Sequence, residues 1–285
     1  MNRLIVLACC LVAAACSRAE SPAVCPPGDG VAVQVLGSGG PIADDGRASS
    51  GYVVWVDGAS RALIDSGGGT FVRFGEAGAR FEALDFVGLS HFHTDHSADF
   101  PALLKSGYFS DRVRPLTVAG PGPGGPFPGL GTYLNSLLNA EDGAYGYLSG
   151  YLNGTGGLVR LNRVEVPSGA DGPVPLEQTS EPVFEVETMH VPHGIVPALA
   201  FRLRVGERII VFASDQNGGD PGFVDFAKNA DLLVMHMAIP QDAGEAARRL
   251  HATPEQIGRI AAAAGAKAFW ERFDMVRGYY RTDEK

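Results

Sequence analysis

The 285-residue sequence predicts an α/β fold in which two stacked β-sheets are flanked by helices. Short apolar runs bounded by Gly, Ser or Asp form one group in each half of the chain, and a helical pattern follows each group. The second helix has the clearer start, because Thr253 matches an N-cap, Pro254 the first helical position and Gln256 the partner residue of a capping box. Apolar residues make up 45% of the chain, which suits a well-packed domain.

The predicted strands lie close together along the chain. In the first half they cover residues 31–36, 52–57, 62–65, 86–89 and 115–119. In the second half they cover residues 183–187, 199–205, 208–213 and 232–235. Residues 98–105 predict a short helix. Between the halves, residues 120–157 are rich in Gly, Pro and Tyr, and they predict an inserted loop or short helical excursion near the mouth of a site.

The first fifteen residues predict an export signal. Arg3 precedes an apolar run that is too short to cross a bilayer and fits a signal peptide. The small residues before Cys16 resemble a bacterial lipobox, which would make Cys16 the lipidated first residue of an anchored lipoprotein. The alternative is plain secretion, with Cys16 and Cys25 free to form a disulfide. Residues 16–30 predict a flexible tether, and both alternatives predict an exported, periplasmic or membrane-anchored protein.

Three of the seven histidines occur within six residues, directly after a predicted strand. His91 and His93 alternate in an extended segment and therefore share one side. Asp95 and His96 follow in the next turn and can face a second point nearby. Three imidazoles and a carboxylate at this spacing suit Zn²⁺ or a similar cation. Histidines that are ordinary surface or core residues seldom occur so close together in a sequence.

The pattern His-x-His-x-Asp-His after a buried strand resembles the signature of the metallo-β-lactamase superfamily. The motif at residues 63–67, which ends Asp65-Ser66-Gly67, is similar to that family's second motif. The segment at residues 36–41, with Arg47 and Ser49-Ser50 after it, is similar to the opening of the ribonuclease Z-like branch. The resemblance implies an αββα four-layer sandwich over residues 31–285. It also implies two bound cations, Zn²⁺ with Mn²⁺ or Fe as alternatives.

The same resemblance implies a set of functional residues. The implied metal ligands are His91, His93, Asp95, His96, His193 and Asp215. His190 competes with His193 for the third ligand position, and the residues that follow favour His193 by their spacing. Asp65, His236 and His190 are expected to support the ligands, and Asp65 matches a carboxylate that holds a ligand histidine. Asp95 and His251 are the expected catalytic residues, with His251 as proton donor to the leaving group.

One part of the family pattern is missing. The family's last ligand histidine follows the strand after the final helix, but residues 267–275 contain none, and no histidine follows His251. Three interpretations remain open. The second cation site is weak, a carboxylate such as Glu271 or Asp274 or a water replaces the histidine, or the enzyme has diminished activity.

The resulting hypothesis is a hydrolase in which a metal-bound hydroxide attacks a phosphodiester or ester. The first alternative is a ribonuclease Z-type endonuclease that acts on tRNA 3′ ends, and the second is a non-catalytic relative that retains metal. The net charge of −9 and the lack of Lys and Arg in residues 115–159 argue against a nucleic-acid partner. A small-molecule substrate is therefore expected, and an oligomer is possible.

Overall fold

The computed structural model describes residues 30–176 and 184–273, and in residues 269–273 it describes the backbone alone. The predicted signal segment, Cys16 and nearly all of the tether lie outside these ranges. Of the two candidate carboxylate replacements for the last histidine, Asp274 lies outside these ranges, and Glu271 lies where the backbone alone is described.

The first sheet has six strands in chain order. They are β1 (Val31–Gly37), β2 (Gly51–Val56), β3 (Ala59–Ile64), β4 (Phe86–Gly88), β5 (Thr117–Pro121) and β6 (Asn162–Val166). The pairs from β1 to β3 are antiparallel, and the pairs from β3 to β6 are parallel. The parallel part brings the carboxyl ends of β3 and β4 to one edge of the sheet.

The second sheet repeats this arrangement. Its strands are β7 (Val174–Pro175), β8 (Glu185–His193), β9 (Val196–Val205), β10 (Arg208–Phe212), β11 (Leu232–Met237) and β12 (Ala268–Phe273). The pairs from β7 to β10 are antiparallel, and β10, β11 and β12 are parallel. Each sheet is therefore antiparallel on one side, where hairpins connect strands, and parallel on the other.

Helices cover the outer face of each sheet. They are α1 (Thr70–Glu76), α2 (Thr94–Ser97), α3 (Phe100–Gly107), α4 (Leu130–Leu138), α5 (Gly150–Asn153), α6 (Gly222–Phe226), α7 (Glu245–Leu250) and α8 (Pro254–Ala264). Apolar side chains of α1, α3 and α4 pack on the first sheet, and those of α6 and α8 pack on the second. Within the described ranges, no helix has the length and apolar character that a membrane crossing requires.

A third apolar core lies between the two sheets. Tyr52 and Phe86 of the first sheet meet Phe201 and Phe212 of the second, and all four are buried. Their rings contact one another edge-on or tilted, with centroids 5.3 Å apart for Tyr52 and Phe212 and 5.9 Å apart for Phe86 and Phe201. Burial of each such side chain contributes roughly 1.5–3 kcal/mol. The predicted αββα sandwich is confirmed.

The structure adds elements that the sequence pattern did not predict. The β6 edge strand is mostly exposed and polar, so it lacks the alternation that identifies a half-buried strand. For the segment 120–157, an inserted loop and a short helical excursion were the two alternatives, and the segment contains the helices α4 and α5. Leu130, Leu134 and Leu138 recur at helical spacing on the buried face of α4. Gly131 and the Gly- and Pro-rich residues just before α4 obscure that spacing in the sequence.

Replacing Thr253 with valine is expected to lower the free energy of unfolding by about 1 kcal/mol. The Thr253 hydroxyl accepts the Gln256 backbone N–H, and the Gln256 side chain accepts the Thr253 backbone N–H, so α8 begins with the predicted capping box. Valine keeps the volume but removes the acceptor. Urea denaturation measures the change. Ser136→Ala, at an exposed position inside α4, is the control and is expected to stay within about 0.5 kcal/mol.

Candidate metal centre

The carboxyl ends of parallel strands from both sheets meet at one edge of the sandwich. Asp65 directly follows β3, His91 follows β4 and Asp215 follows β10, while His236 lies near the end of β11. His193 ends β8 in the same region. In open α/β sheets, sites form at the carboxyl ends of the strands, because loops there can bring side chains together without disturbing the core.

The backbone of the His91–His96 turn is held by the segments after β1 and β3. The Ser50 N–H donates to the Asp95 carbonyl at 2.9 Å, and the Ser66 N–H donates to the His96 carbonyl at 2.8 Å. A Cβ atom on Gly67 would lie 1.9 Å from the Asp95 carbonyl oxygen, so only glycine fits there. These contacts explain why the glycine- and serine-rich segments accompany the histidine motif in the sequence.

Two residues with left-handed backbone conformation position the carboxylates. Asp65 has φ +59° and Ser214, which precedes Asp215, has φ +58°. Non-glycine residues rarely adopt this region, and the cost is about 1–3 kcal/mol each. Both residues lie in the turn immediately after a strand. The packed sheets therefore hold the backbone in this unfavourable conformation at the points where a carboxylate must face the site.

The Oδ2 atom of Asp215 lies among ring nitrogens from four histidines. The distances are 3.5 Å to His96 Nε2, 3.8 Å to His193 Nε2, 4.0 Å to His91 Nε2 and 4.0 Å to His251 Nδ1. His93 Nδ1 lies 3.0 Å from His91 Nε2, and Asp95 Oδ2 lies 3.6 Å from His96 Nε2. The structure therefore brings all six predicted ligands, together with His251, into one cluster.

This donor set fits divalent cations. In a tetrahedral zinc site each ligand atom lies about 2.1 Å from the ion, which places two ligand atoms about 3.4 Å from each other. The distances from Asp215 Oδ2 to the ring nitrogens are close to this value. Three groups have their donor atoms within 4.8 Å of one another: His91, His93 and His193; His91, His96 and Asp215; His193, Asp215 and His251. Within the described residues, His96 Nε2 and His193 Nε2 are buried without a hydrogen-bond partner. Once deprotonated, an imidazole nitrogen in this position can serve as a ligand atom for a cation.

Asp65 holds His96 in the orientation that a ligand requires. The His96 Nδ1–H donates to Asp65 Oδ2 at 2.7 Å, which leaves Nε2 facing the cluster. Asp65 also accepts the Ser90 backbone N–H at 2.8 Å, the Ser90 hydroxyl at 3.0 Å and the Ser50 hydroxyl at 3.1 Å. A carboxylate with its acceptor sites occupied in this way fixes both its own position and the histidine tautomer.

His236 orients the other carboxylate. Its Nδ1–H donates to Asp215 Oδ1 at 2.6 Å, and its Nε2 lies 3.1 Å from the Tyr52 hydroxyl. Asp215 therefore directs Oδ1 to His236 and Oδ2 to the histidine cluster. Sequence reasoning missed Tyr52, which lies 184 residues from His236 and carries no local pattern that indicates the contact.

Burial and neighbouring charges shift the ionisation of the cluster. Burial and the repulsion of His96 and His193 hold the pKa of His91 well below its usual value. For His96, burial opposes the charged form, but the carboxylates of Asp65 and Asp215 outweigh it and raise the pKa well above the usual value. Burial also opposes ionisation of Asp215, yet His96 and the bond from His236 hold its pKa well below the usual range.

One histidine differs from its predicted role, and a second has a shifted pKa. His190 was expected to support the ligands, but its Nε2–H donates to the Pro167 carbonyl at 3.0 Å. His190 and His193 are an odd number of positions apart on β8, so they face opposite sides of the strand. The expected proton donor, His251, has a pKa that burial lowers to about 4 despite the attraction of Asp215. It is therefore uncharged at neutral pH in the cation-free protein.

The segment after β5 contributes aromatic side chains beside the cluster. Tyr133 of α4 stacks on Phe92 with ring centroids 4.5 Å apart, and its hydroxyl donates to the Ser97 carbonyl at 3.0 Å. Phe127 lies edge-on to His93 at 5.9 Å. Tyr151 instead belongs to the core. Phe127 and Tyr133 therefore place part of residues 120–157 beside the histidine turn.

Comparison with known proteins identifies relatives over most of the chain. The family model for the metallo-beta-lactamase superfamily matches residues 44–255. Ribonuclease Z of Halorubrum lacusprofundi is 30% identical over 275 residues, covering 82% of this chain and 83% of the relative. Ribonuclease Z of Mycobacterium sp. strain KMS is 28% identical over 247 residues, covering 82% and 81%.

Solved structures share the fold. Human tRNase Z, short form, superimposes with a TM-score of 0.69 at 21% identity, over 85% of this chain and 93% of that one. The metallo-beta-lactamase fold protein YhfI from Bacillus subtilis gives a TM-score of 0.65 at 23% identity, over 88% of each chain. With the family match and the relatives, these likenesses lead to one conclusion: the chain is a hydrolase of the metallo-beta-lactamase superfamily and belongs to its ribonuclease Z-like branch.

Proposed function

We propose that this chain hydrolyses phosphodiester bonds with two divalent cations, zinc being the ion that the donor set suits best. The observation that carries the proposal is the position of Asp215 Oδ2 among four imidazole nitrogens, in a cluster that Asp95 and His93 complete. Imidazole nitrogens combined with carboxylate oxygens favour zinc over calcium or magnesium, with manganese and iron as further candidates.

When bound, divalent cations supply Lewis acidity to a phosphoryl oxygen and activate water as a nucleophile at neutral pH. The protein contributes fixed positions. Asp65 accepts a hydrogen bond from His96 Nδ1–H, and His236 donates one to Asp215 Oδ1. These bonds fix the side chains of His96 and Asp215, so neither must change its orientation when a substrate binds. Such preorganisation lowers the cost of reaching the transition state.

RNA is the specific substrate that the relatives favour. Both curated relatives described above carry the name ribonuclease Z and align with more than four fifths of this chain. They weigh against the sequence-based expectation that nucleic acid is an unlikely partner. The absence of Lys and Arg from residues 115–159 and the predicted export signal weigh against RNA. We therefore propose phosphodiester hydrolysis as the general activity and RNA 3′-end cleavage as its specific candidate form.

His193→Ala is expected to reduce hydrolysis of bis-p-nitrophenyl phosphate at least a hundredfold, because it removes a buried nitrogen from the cluster. Loss of groups that merely support a ligand already costs about 10–100-fold. His190→Ala is the matched control, since it removes an imidazole from the same strand on the opposite face. Product release at 400 nm, with and without a chelator, measures both effects.

Three results would contradict this assignment. They are turnover that persists after chelation and removal of the metal, equal loss in the His190 and His193 variants, and no turnover by the parent protein with any divalent cation. Circular dichroism of each variant separates loss of the site from loss of the fold.

If the chain acts as a ribonuclease Z, precursor tRNA is expected to be cut at the 3′ end of its acceptor stem. Affinity for tRNA would fall steeply with salt, because each neutralised phosphate releases counterions. Gel electrophoresis of end-labelled precursor, with mature tRNA and bis-p-nitrophenyl phosphate in parallel, tests this. Hydrolysis of the small diester without RNA cleavage would assign the enzyme to small substrates instead.

Cation binding at pH 7 is expected to release about one proton per chain from His96. The raised pKa of His96 keeps its ring protonated in the cation-free protein, whereas a ligand imidazole must be neutral. The apparent affinity for Zn²⁺ therefore rises with pH until the His96 pKa is reached, by about tenfold per pH unit for one displaced proton. Calorimetry in buffers of different ionisation enthalpy measures the release. An enthalpy independent of the buffer would show that His96 is already neutral.

A further inference from the structure

An exposed aromatic patch surrounds the side chain of Lys105 near the end of α3. The Lys105 ammonium lies 4.3 Å from the ring centre of Tyr108, 4.6 Å from that of Phe109 and 4.9 Å from that of Tyr147. A fourth ring, that of Tyr145, has its centre 6.5 Å from that of Tyr147. These cation–π and ring contacts join the end of α3 to the segment after α4, so the five side chains form one surface.

The aromatic patch does not contribute to the apolar core. Phe109 is 76% exposed and Tyr147 is 60% exposed, and within the described residues neither packs on the core cluster of the first sheet. Single exposed apolar residues are ordinary, but a group of large exposed rings marks a contact with a partner or a membrane. Tyrosine and lysine side chains have an apolar body and a polar tip, which suits the boundary between bilayer hydrocarbon and water.

The aromatic patch lies at the end of the first sheet opposite the histidine cluster. Arg112 follows the aromatic residues after α3, and its guanidinium donates to the Leu84 carbonyl at 2.6 Å, just before β4 begins. His91 follows the other end of β4. The chain enters at the same edge as the patch, because the Gly30 carbonyl accepts the Asp57 N–H at 2.8 Å in the turn that leads into β3, and β3 is parallel to β4.

We propose that the aromatic patch rests in the interfacial layer of a phospholipid bilayer, with the histidine cluster directed away from the membrane. The expected lipid anchor at Cys16 is the reason for choosing this partner. Residues 16–29 span at most about 50 Å when fully extended, so an anchored Cys16 keeps the patch within reach of the bilayer. The anchor alone leaves the domain free to turn, whereas a second contact fixes its orientation and strengthens binding. The proposal does not depend on the proposed function.

The charges beside the aromatic patch favour a contact that depends on the rings. Asp111, Glu141 and Asp142 are exposed and lie within four positions of an aromatic residue of the patch. These carboxylates are repelled by anionic lipids, so burial of the rings in the interface provides the attraction. We therefore expect binding to zwitterionic phospholipid that changes little with salt concentration.

Quenching of tryptophan fluorescence by phospholipid brominated near the headgroup tests this orientation in the full-length protein. With vesicles of brominated phosphatidylcholine, Phe109→Trp is expected to lose at least half of its added fluorescence, because the new ring enters the interface. Ile195→Trp is the matched control, since Ile195 is 73% exposed in the turn after His193, and no quenching of its added fluorescence is expected. The parent protein gives the background from Trp55 and Trp270.

Several outcomes overturn the proposal. Quenching of neither added tryptophan would show that the aromatic patch stays in water, and equal quenching of both would show that the domain has no fixed orientation. Quenching of Ile195→Trp alone would place the histidine cluster at the membrane. Sedimentation tests a second copy of the chain as the occupant, because a dimer that Phe109→Asp disrupts would assign the patch to self-association. If circular dichroism shows that Phe109→Trp does not fold, Tyr147→Trp takes its place.

Discussion

The structure depends on the burial of the Asp215 carboxylate among imidazole rings. A buried carboxylate is stable only when hydrogen bonds or positive charges replace its water. His236 satisfies Oδ1, and four ring nitrogens surround Oδ2. The carboxylates of Asp65 and Asp215 raise the pKa of His96, which favours the charged imidazole beside Asp215.

This arrangement requires both halves of the sandwich. The first sheet contributes Asp65 and the 91–96 turn, and the second contributes His193, Asp215 and His236. The apolar core between the sheets, including Tyr52 and Phe201, fixes the position of one sheet against the other. Tyr52 has a double role, because its ring packs in this core while its hydroxyl contacts His236. Core packing and site geometry are therefore coupled through one side chain.

The fold of this chain does not identify its substrate. One fold supports many reactions, so the αββα architecture by itself leaves the substrate open. The family match identifies a hydrolase, and the cluster supports the proposal that cations assist the hydrolysis. Among the segments around the cluster, residues 120–157 place Phe127 and Tyr133 beside the histidine turn. This region combines aromatic side chains with a lack of Lys and Arg, so it offers no positively charged side chain to RNA phosphates.

The sequence by itself determined the features that local spacing encodes. Alternating and helical periodicity predicted most strands and the capping box of α8, and the spacing of residues 91–96 located the main cluster. Only the tertiary structure decided which distant residues meet. It separated His190 from His193, joined Tyr52 to His236 and brought His251 to Asp215. The physical reason is that periodicity shows which face of a strand or helix is buried, whereas contacts between side chains far apart in sequence depend on where strand ends converge after the sheets have packed.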